Sequence, residues 1–401
     1  MKALQVERSL PRFAAARIAS EWRAGAGGRF GPLRLVDVEP PPLPGPGWQR
    51  LLPRLTGICG SDLATVDGRS SRWFEPMVSF PFVPGHEVVA DTEDGRRAVI
   101  EPVLGCQARG IVPMCAPCAE GRRRHCANLT GGHVAPGLQT GYCTDTGGGW
   151  SLAFAAHDSQ LHYVPGSLPD EAAVLIEPQA CAVHAALHLY SDGSASSGEE
   201  LTAVVIGAGT LGLCTIAALA RLRDDVTRVI AVAKYSHQKE LATRLGATSV
   251  AEPGELRRAV RRATGSWILD NGQLSGGAPL VIDCVGSAAS LADALAVTAP
   301  GGSLVLAGMP APATVDLTPL WQREVHLAGS YTYGPEPAAG GRHSFDLAFD
   351  LAEQVGLERL LSATYPLERA SDAIEHAAAA GRRGAVKIAF DMRAEKKRSW
   401  S

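Results

Sequence analysis

Between residues 201 and 307 the sequence alternates short runs of aliphatic, often β-branched residues with segments of helical periodicity. Two strands joined by a helix lie parallel, since the helix crosses back over the sheet before the second strand begins. The repetition therefore predicts an α/β fold, with a doubly wound parallel sheet covered by helices on both faces. The predicted strands are 203–206, 229–233, 280–284 and 303–307, and the predicted helices are 211–222, 238–245 and 289–296.

The chain before this region has a different character. The full chain of 401 residues is too long for one compact core, so two domains are expected. Its first third is rich in Pro and Gly, and turn-forming residues separate short apolar runs such as 51–55 and 88–90. This pattern is typical of an irregular β-rich domain.

Further signals flank the alternating region on both sides. Asp170 and Glu171 follow Pro169 as acidic residues of a first turn, which predicts a helix start that continues through 180–189. From about Phe345 the tail adds a helix and then a late strand at 385–390. That strand can return to the first domain.

Composition limits the partners and the location. The net charge is −3, so neither nucleic acid nor an acidic membrane is indicated as a partner, and the basic runs 122–124 and 396–398 are interpreted as a solvated loop and tail. We find no signal-peptide core and no run of about 18 apolar residues, so a cytoplasmic location without a membrane span is expected. The chain has nine cysteines. In a reducing compartment, a tight cluster of cysteines indicates metal binding or catalysis rather than disulfides.

The segment VVIGAGTLGL has the spacing of a dinucleotide-binding turn, and it follows a strand and opens a helix. Gly207 permits the tight turn, Gly209 lets the backbone approach a pyrophosphate, and Gly212 lets the helix pack closely on the strand. The free amides of Thr210 and Leu211 at the helix N-terminus are expected to face the phosphates. The alternative is a glycine-rich turn without a ligand.

The end of the next strand bears on which nicotinamide cofactor is used. An NAD site usually places Asp or Glu about 20 residues after the glycines to bind the ribose 2′-hydroxyl, and Ala233 stands there instead. Lys234, with His237 and Lys239 nearby, can attract a 2′-phosphate. The sequence therefore favours NADP over NAD. The alternative is a solvated Lys234 and an enzyme that accepts either cofactor.

Cysteine, histidine and carboxylate residues that are remote along the chain form a first candidate metal site. Cys59 lies in GICGSD, His86 and Glu87 lie in PGHE, and Glu177 lies in EPQACAVHAA. These ligand types suit a catalytic zinc with one open position. Asp62 is a candidate to hold the remote nitrogen of His86. A lone cysteine is more often a small buried apolar residue, which is the interpretation for Cys181, Cys214 and Cys284.

A second candidate metal site is a cluster of four cysteines within 21 residues. Four thiolates fit a closed, tetrahedral structural zinc. Such a site would stabilise a loop that is rich in Pro and Arg and has little core of its own. Cys143 lies outside the cluster and is interpreted as a plain buried thiol. The cluster consists of Cys106, Cys115, Cys118 and Cys126.

Together these motifs resemble, over nearly the whole chain, the zinc-containing medium-chain dehydrogenases, the relatives of alcohol, sorbitol, threonine and glucose dehydrogenases. The resemblance implies a GroES-like catalytic domain at 1–168, completed by 345–401, and a Rossmann domain at 169–344. It implies a catalytic zinc on Cys59, His86 and either Glu87 or Glu177, and Ser61 as a proton-relay hydroxyl. It also implies a homodimer or homotetramer. Val285 and Gly308 match stretches that line the nicotinamide.

Three features depart from the family pattern. Val112 stands where the first cysteine of the family lobe is expected, so Cys106 must reach in from a longer loop, or the site has three thiolates or no metal. Ala64 stands where the proton relay often ends in histidine, so the proton is expected to leave through water or another group. The glycine-rich segment 20–31 is an insertion whose role the sequence does not reveal.

The expected reaction is hydride transfer between NAD(P), with NADP favoured, and a small-molecule alcohol, polyol or sugar hydroxyl or its carbonyl. A first alternative on the same fold is a zinc-free, NADPH-dependent double-bond or quinone reductase, although such relatives generally lack both metal motifs. A second alternative is a catalytically silent NADPH-binding protein, because fold alone does not determine function.

Overall fold

A computed structural model describes residues 1–188 and 201–394. Leu189, in the helix predicted at 180–189, and the basic run 396–398 lie outside the described residues. The chain divides into two compact units, Met1–Glu177 with Gly356–Ser401, and Pro178–Val355. The boundaries predicted from the sequence lie at 168/169 and 344/345. In the described part of the chain, every helix is too short or too polar to cross a membrane.

The secondary structure is numbered in chain order. The strands are β1 (Lys2–Val6), β2 (Leu33–Asp37), β3 (Trp48–Gly57), β4 (Val88–Asp91), β5 (Arg97–Ile100), β6 (Phe154–His157), β7 (Leu161–Tyr163), β8 (Leu201–Ile206), β9 (Val226–Val232), β10 (Ser249–Ala251), β11 (Ala278–Asp283), β12 (Thr298–Leu306), β13 (His326–Gly329), β14 (Pro335–Glu336), β15 (Arg342–His343), β16 (Leu361–Tyr365) and β17 (Lys387–Asp391). The α-helices are α1 (Leu10–Trp22), α2 (Gly27–Phe30), α3 (Gly60–Val66), α4 (Ala116–Ala119), α5 (Asp170–Ala173), α6 (Ile176–Leu187), α7 (Thr210–Leu222), α8 (Ser236–Leu245), α9 (Leu256–Thr264), α10 (Ala288–Val297), α11 (Thr318–Gln322), α12 (Ser344–Val355) and α13 (Ala370–Ala378).

The second unit contains the predicted parallel sheet. Its strand order is β10-β9-β8-β11-β12-β13, and every adjacent pair is parallel. All six residues of β8 are buried, as expected for a central strand covered on both faces. The strand order reverses between β8 and β11, and ligands of such sheets bind beyond the carboxyl ends of the strands at this point. The short edge strands β10 and β13 were not predicted from the sequence.

The first unit is built on a mixed sheet that combines both ends of the chain, in which β16 and β17 are parallel and the other neighbouring strands are antiparallel. Its order is β16-β17-β3-β4-β5-β7, and β6 also pairs with β3. The late strand β17 pairs with β3, with Phe390 opposite Thr56, so the predicted return of the tail to the first domain is confirmed. Alternating residues of β3, including Leu51 and Leu55, are fully buried. The strand therefore holds the segment that follows Gly57 and leads to Cys59.

The N-terminal insertion 20–31 is bound to the end of α3. The amides of Gly25 and Gly27 donate hydrogen bonds to the Asp67 carboxylate at 2.9 and 3.0 Å. A Cβ atom at Gly27 would lie 2.1 Å from the Val66 carbonyl oxygen, so only glycine permits this approach. Arg29 reaches α13 through a 2.7 Å ion pair with Glu375. The insertion thus fixes the helix that begins directly after Cys59.

Replacing Asp67 with alanine is expected to lower the free energy of unfolding of the first unit by about 2–4 kcal/mol, because two buried amides lose their acceptor. Thermal unfolding followed by calorimetry measures this effect. Asp37→Ala is the matched control, since Asp37 is exposed at the end of β2. Equal thermal unfolding midpoints for Asp67→Ala and Asp37→Ala would show that the Asp67 carboxylate does not hold the insertion 20–31 in place.

Candidate active site and metal centres

Cys59 stands immediately before α3, and the first turn of that helix determines its surroundings. The Cys59 amide donates a hydrogen bond to one Asp62 carboxylate oxygen, at a nitrogen–oxygen distance of 2.9 Å. The other oxygen of Asp62 lies 3.5 Å from Nδ1 of His86. Asp62 is only 1% exposed. One buried carboxylate therefore orients both the cysteine and the histidine.

His86 is buried with its two ring nitrogens in different surroundings. Nδ1 faces Asp62, while Nε2 lies 3.4 Å from the Ser61 hydroxyl oxygen. Burial alone would lower the pKa of His86, but Asp62 and Cys59 outweigh burial and raise that pKa well above its ordinary value. The side chains of Asp62 and Cys59 therefore favour a positive charge beside them, either a proton on His86 or a metal ion.

The side chain of Tyr142 covers the other side of His86. The two ring centroids are 5.9 Å apart, and the Tyr142 ring also contacts Phe82 at 5.3 Å between centroids. Burial raises the pKa of Tyr142 above its usual range, so the phenol stays protonated at neutral pH. The stretch 140–163 was expected to line the substrate pocket, but Tyr142 was not predicted as a site residue, because its contact with His86 joins two remote segments.

Glu87 forms a buried ion pair with Lys387 of β17. The Lys387 ammonium also donates a hydrogen bond to the Ile58 carbonyl, at 3.1 Å. Burial lowers the pKa of Lys387, but Glu87 outweighs it and the pKa lies above its ordinary value. A Cβ atom at Gly57 would lie 2.1 Å from a Glu87 carboxylate oxygen, so glycine is needed there. The Glu87 charge is thus already compensated within the protein.

The structure brings the four residues of the first candidate site into one unit but not into one tight cluster. Glu177 and Cys59 both act electrostatically on Lys387, as Glu87 does. In residues 1–188 and 201–394, some groups of three or more potential ligands have all their ligand atoms within 4.8 Å of one another. None of these groups contains Cys59, His86, Glu87 or Glu177. Within the described residues, these four side chains therefore do not form a closed set of metal ligands.

The four cysteines of the second candidate site do converge. Their sulfur atoms all lie within 4.8 Å of one another. The sulfur of Cys106 lies 3.6 Å from that of Cys115 and 3.7 Å from that of Cys126. A tetrahedral zinc with bonds of about 2.3 Å separates its sulfur ligands by about 3.8 Å. Cys106 completes this set, whereas Val112 is 90% exposed.

The charge balance of the four-cysteine cluster also fits a bound cation. Burial raises the pKa of Cys118 and of Cys126, so these thiols resist ionisation without a compensating charge. Asn128 donates two hydrogen bonds to cluster sulfurs, from its amide to Cys126 at 3.4 Å and from its side chain to Cys106 at 3.3 Å. Such donors support thiolates that ligate a metal.

Two arginines stabilise the loop that carries these cysteines. Arg109 is fully buried and donates hydrogen bonds to the carbonyls of Leu104 and Gly131, both at 2.9 Å. Arg123 forms a 2.7 Å ion pair with buried Glu101. The interpretation of run 122–124 as merely solvated is therefore wrong for Arg123. The loop therefore uses arginine–carbonyl bonds and an ion pair in addition to two small apolar clusters.

The glycine turn after β8 has the geometry that a dinucleotide requires. Gly207 has φ +97°, a conformation that side chains disfavour. A Cβ atom at Gly212 would lie 1.8 Å from the Gly207 carbonyl oxygen, whereas one at Gly209 would meet nothing within 4 Å. The helix therefore packs closely against the turn while Gly209 remains open. The amides of Thr210 and Leu211 begin α7 at this opening.

The loops that follow β11 and β12 meet beside this turn. A Cβ atom at Gly308 would lie 2.5 Å from the carbonyl carbon of Val285. Buried Asp283 fixes the first loop, since its carboxylate accepts hydrogen bonds from the amides of Val285 at 2.9 Å and Gly286 at 3.2 Å. Val285 is 49% exposed, so its side chain is accessible to a ligand.

Lys234 follows the end of β9 and is exposed. Its ammonium lies 5.8 Å from the Tyr235 ring centroid, and within the described residues no carboxylate is at ion-pair distance from it. Lys239, by contrast, forms a 2.6 Å ion pair with Glu252. His237 stacks on Tyr235, with centroids 6.0 Å apart. Of the two lysines, Lys234 is therefore the one available to a phosphate.

Comparisons with known proteins agree with this architecture. Residues 45–166 match the family described as alcohol dehydrogenase GroES-like domain, and residues 210–354 match the family described as zinc-binding dehydrogenase. A sorbitol dehydrogenase of Arabidopsis thaliana is 28% identical over 322 residues, covering 75% of this chain and 79% of that protein. D-xylulose reductase A of Aspergillus oryzae is 26% identical over 340 residues, covering 82% and 86%.

A solved structure shares the fold. It is described as a putative zinc-binding dehydrogenase from Sinorhizobium meliloti 1021 bound to NADP, with a TM-score of 0.66 and 25% identity, and the match covers 90% of this chain and 95% of that one. The predicted combination of a GroES-like domain and a Rossmann domain is confirmed. The chain belongs to the zinc-type medium-chain dehydrogenase/reductase family.

Proposed function

We propose that this oxidoreductase of the alcohol dehydrogenase type uses zinc and NADP to interconvert a polyol or sugar-type hydroxyl and its carbonyl. The observation that carries the proposal is the pair of half-buried Cys59 and buried His86, which Asp62 contacts on both sides and which has the Ser61 hydroxyl beside the histidine ring. The names of the sorbitol and xylulose relatives support the polyol class.

In this proposal Cys59 and His86 hold the catalytic zinc, and Glu177 is the carboxylate ligand. Glu87 is the weaker candidate, because Lys387 already compensates its charge. Zinc bound there supplies Lewis-acid polarisation of the substrate oxygen. Ser61 accepts the proton of the substrate hydroxyl. Because Ala64 offers no further acceptor, the proton leaves through water.

The Rossmann unit binds the cofactor in the same proposal. The turn formed by Gly207, Gly209 and Gly212, together with the amides at the start of α7, cradles the pyrophosphate. Val285 and Gly308 line the nicotinamide, and Lys234 contacts the 2′-phosphate of NADP. The NADP-bound structure from Sinorhizobium meliloti supports this cofactor.

The four cysteines Cys106, Cys115, Cys118 and Cys126 hold a second, structural zinc in this proposal. We also propose a cytoplasmic homodimer or homotetramer. In support of a reducing compartment, none of the nine cysteines, all of which lie within the described residues, forms a disulfide. The zinc content and the oligomeric state of the purified protein test these two points.

A panel of polyols, sugars, simple alcohols and their carbonyls, assayed with NAD and NADP beside zinc counting, tests the reaction itself. We expect turnover of at least one polyol or sugar and two zinc ions per chain. Reduction of activated double bonds by a zinc-free protein would instead identify the zinc-free reductase. Bound zinc and NADPH without any turnover would identify a silent binding protein.

Replacing Lys234 with alanine is expected to weaken NADPH binding roughly tenfold and to leave NADH binding unchanged, because a charge-assisted contact is worth about 1.5–3 kcal/mol. Fluorescence titration with both cofactors measures the ratio. Lys239→Ala is the matched control, since Glu252 already pairs with that lysine. Equal weakening of NADPH and NADH by Lys234→Ala would exclude the 2′-phosphate contact.

A further inference from the structure

Tyr142 carries a buried polar atom that the protein itself does not satisfy. The residue is 8% exposed. Its hydroxyl has no hydrogen-bond partner among the described residues. Leaving a buried hydroxyl unpaired costs free energy, and buried polar groups are nearly always paired in folded proteins. An unpaired group of this kind is expected where a ligand or a water molecule completes the bonding.

Two other polar aromatic side chains of the same unit have hydrogen-bond partners within the protein. The indole nitrogen of Trp150 donates to the Gly57 carbonyl at 3.3 Å. The Tyr365 hydroxyl lies 2.9 Å from Nδ1 of His376. The unpaired hydroxyl of Tyr142 is therefore not a general property of tyrosines in this unit. It occurs at the residue whose ring packs on His86.

The surroundings of the Tyr142 hydroxyl are those of the candidate active site. Asp62, His86 and Cys59 act on this phenol through their charges. The Ser61 side chain is a polar neighbour that also influences the pKa of the phenol, although it makes no hydrogen bond of normal geometry with it. Phe82 and His86 hold the ring from its sides, at centroid distances of 5.3 and 5.9 Å. Position 64 is alanine rather than histidine. The side chains of Ser61 and Tyr142, which both carry neutral hydroxyl groups, lie beside His86.

We propose that the Tyr142 hydroxyl donates a hydrogen bond to the oxygen of the bound alcohol or carbonyl substrate and, together with Ser61, positions that oxygen. The inference rests on the proposed function, since it assumes that the substrate binds beside Cys59 and His86. The ring packing holds the donor in place before the substrate arrives. A site with a fixed donor also discriminates against analogues that lack the matching oxygen, because the donor would then remain unpaired.

The Tyr142→Phe variant tests this role, because it removes the hydroxyl and keeps the ring that packs on His86. We expect kcat/KM for the best substrate of the panel to fall at least tenfold. Sorbitol is then titrated into the NADPH-bound enzyme, where both compounds are reduced and no turnover occurs. We expect its dissociation constant to rise at least fivefold. The melting temperature of the substrate-free variant should equal or exceed that of the wild type, since an unsatisfied group is removed.

Tyr365→Phe is the matched control. It also removes one hydroxyl, but that hydroxyl bonds to His376, so a lower melting temperature with unchanged kcat/KM is expected. The inference is overturned if Tyr142→Phe retains the wild-type sorbitol affinity, whatever its stability or turnover. A wild-type enzyme that converts nothing in the panel and binds no sorbitol would instead overturn the proposed function.

Discussion

Cys59→Ala is expected to lower kcat/KM by at least about 10³-fold while NADPH binding stays at the wild-type level. A Lewis-acid metal supplies several kcal/mol of transition-state stabilisation, and each 1.36 kcal/mol corresponds to a tenfold change in rate. The cofactor turn lies in the other compact unit of the chain, so the substitution leaves its residues untouched. Steady-state kinetics, zinc counting and NADPH titration measure the three quantities.

Cys214→Ala serves as the control for this loss. Cys214 is a fully buried residue of α7 and is remote in sequence from the predicted zinc ligands. This substitution therefore removes the same side-chain volume as Cys59→Ala without removing a predicted zinc ligand. We expect this variant to keep its zinc and most of its turnover. Turnover by Cys59→Ala at the wild-type rate, with one zinc ion fewer per chain, would contradict the proposed mechanism.

Cys106→Ser is expected to remove one zinc ion per chain and to lower the melting temperature by on the order of 10 °C. Structural zinc sites contribute directly to the free energy of folding. A loss of about 3–5 kcal/mol lowers the melting temperature of a domain of about 200 residues by on the order of 10 °C. The loop at 104–137 should be affected most, because the four cysteines lie at the centre of one of its two small apolar clusters. Calorimetry and zinc counting measure the effect.

Cys143→Ser tests whether any buried cysteine would behave in the same way. Cys143 is fully buried beside Trp48 and Leu104 but lies outside the cluster. We expect this variant to lose some stability and to keep the full zinc content. Full zinc content in Cys106→Ser would show that three thiolates suffice to bind the structural zinc. This is the alternative that was left open because Val112 stands where the family has a cysteine.

Much of the fold could be predicted because its signals are local. The glycines at 207, 209 and 212 act through the turn they occupy, and the structure gives Gly207 a positive φ and Gly212 no room for a side chain. The alternation of strands and helices likewise depends on periodicity within each segment. The short edge strands β10 and β13 escaped prediction because three or four residues carry too little pattern.

The candidate site was predicted less completely, because its contacts join remote segments. The residue types at 59, 86 and 177 indicated a metal site, but nothing in the sequence showed that Lys387 pairs with Glu87 across 300 positions. Similarly, Tyr142 lies in a loop of no clear periodicity and acquires its role from packing on His86. Such contacts depend on how β17 and the loops return to β3.

By itself, the sequence determined the two-part organisation, the parallel sheet, the dinucleotide turn and the types of metal ligand present, because short-range sterics and side-chain chemistry dictate them. The tertiary structure decided which residues act together. It brought Cys106 into the cluster in place of a cysteine at 112, directed Glu87 to Lys387 and left the Tyr142 hydroxyl without a partner. The physical reason is that burial and long-range packing, rather than neighbours in the chain, determine the partners of a buried polar group.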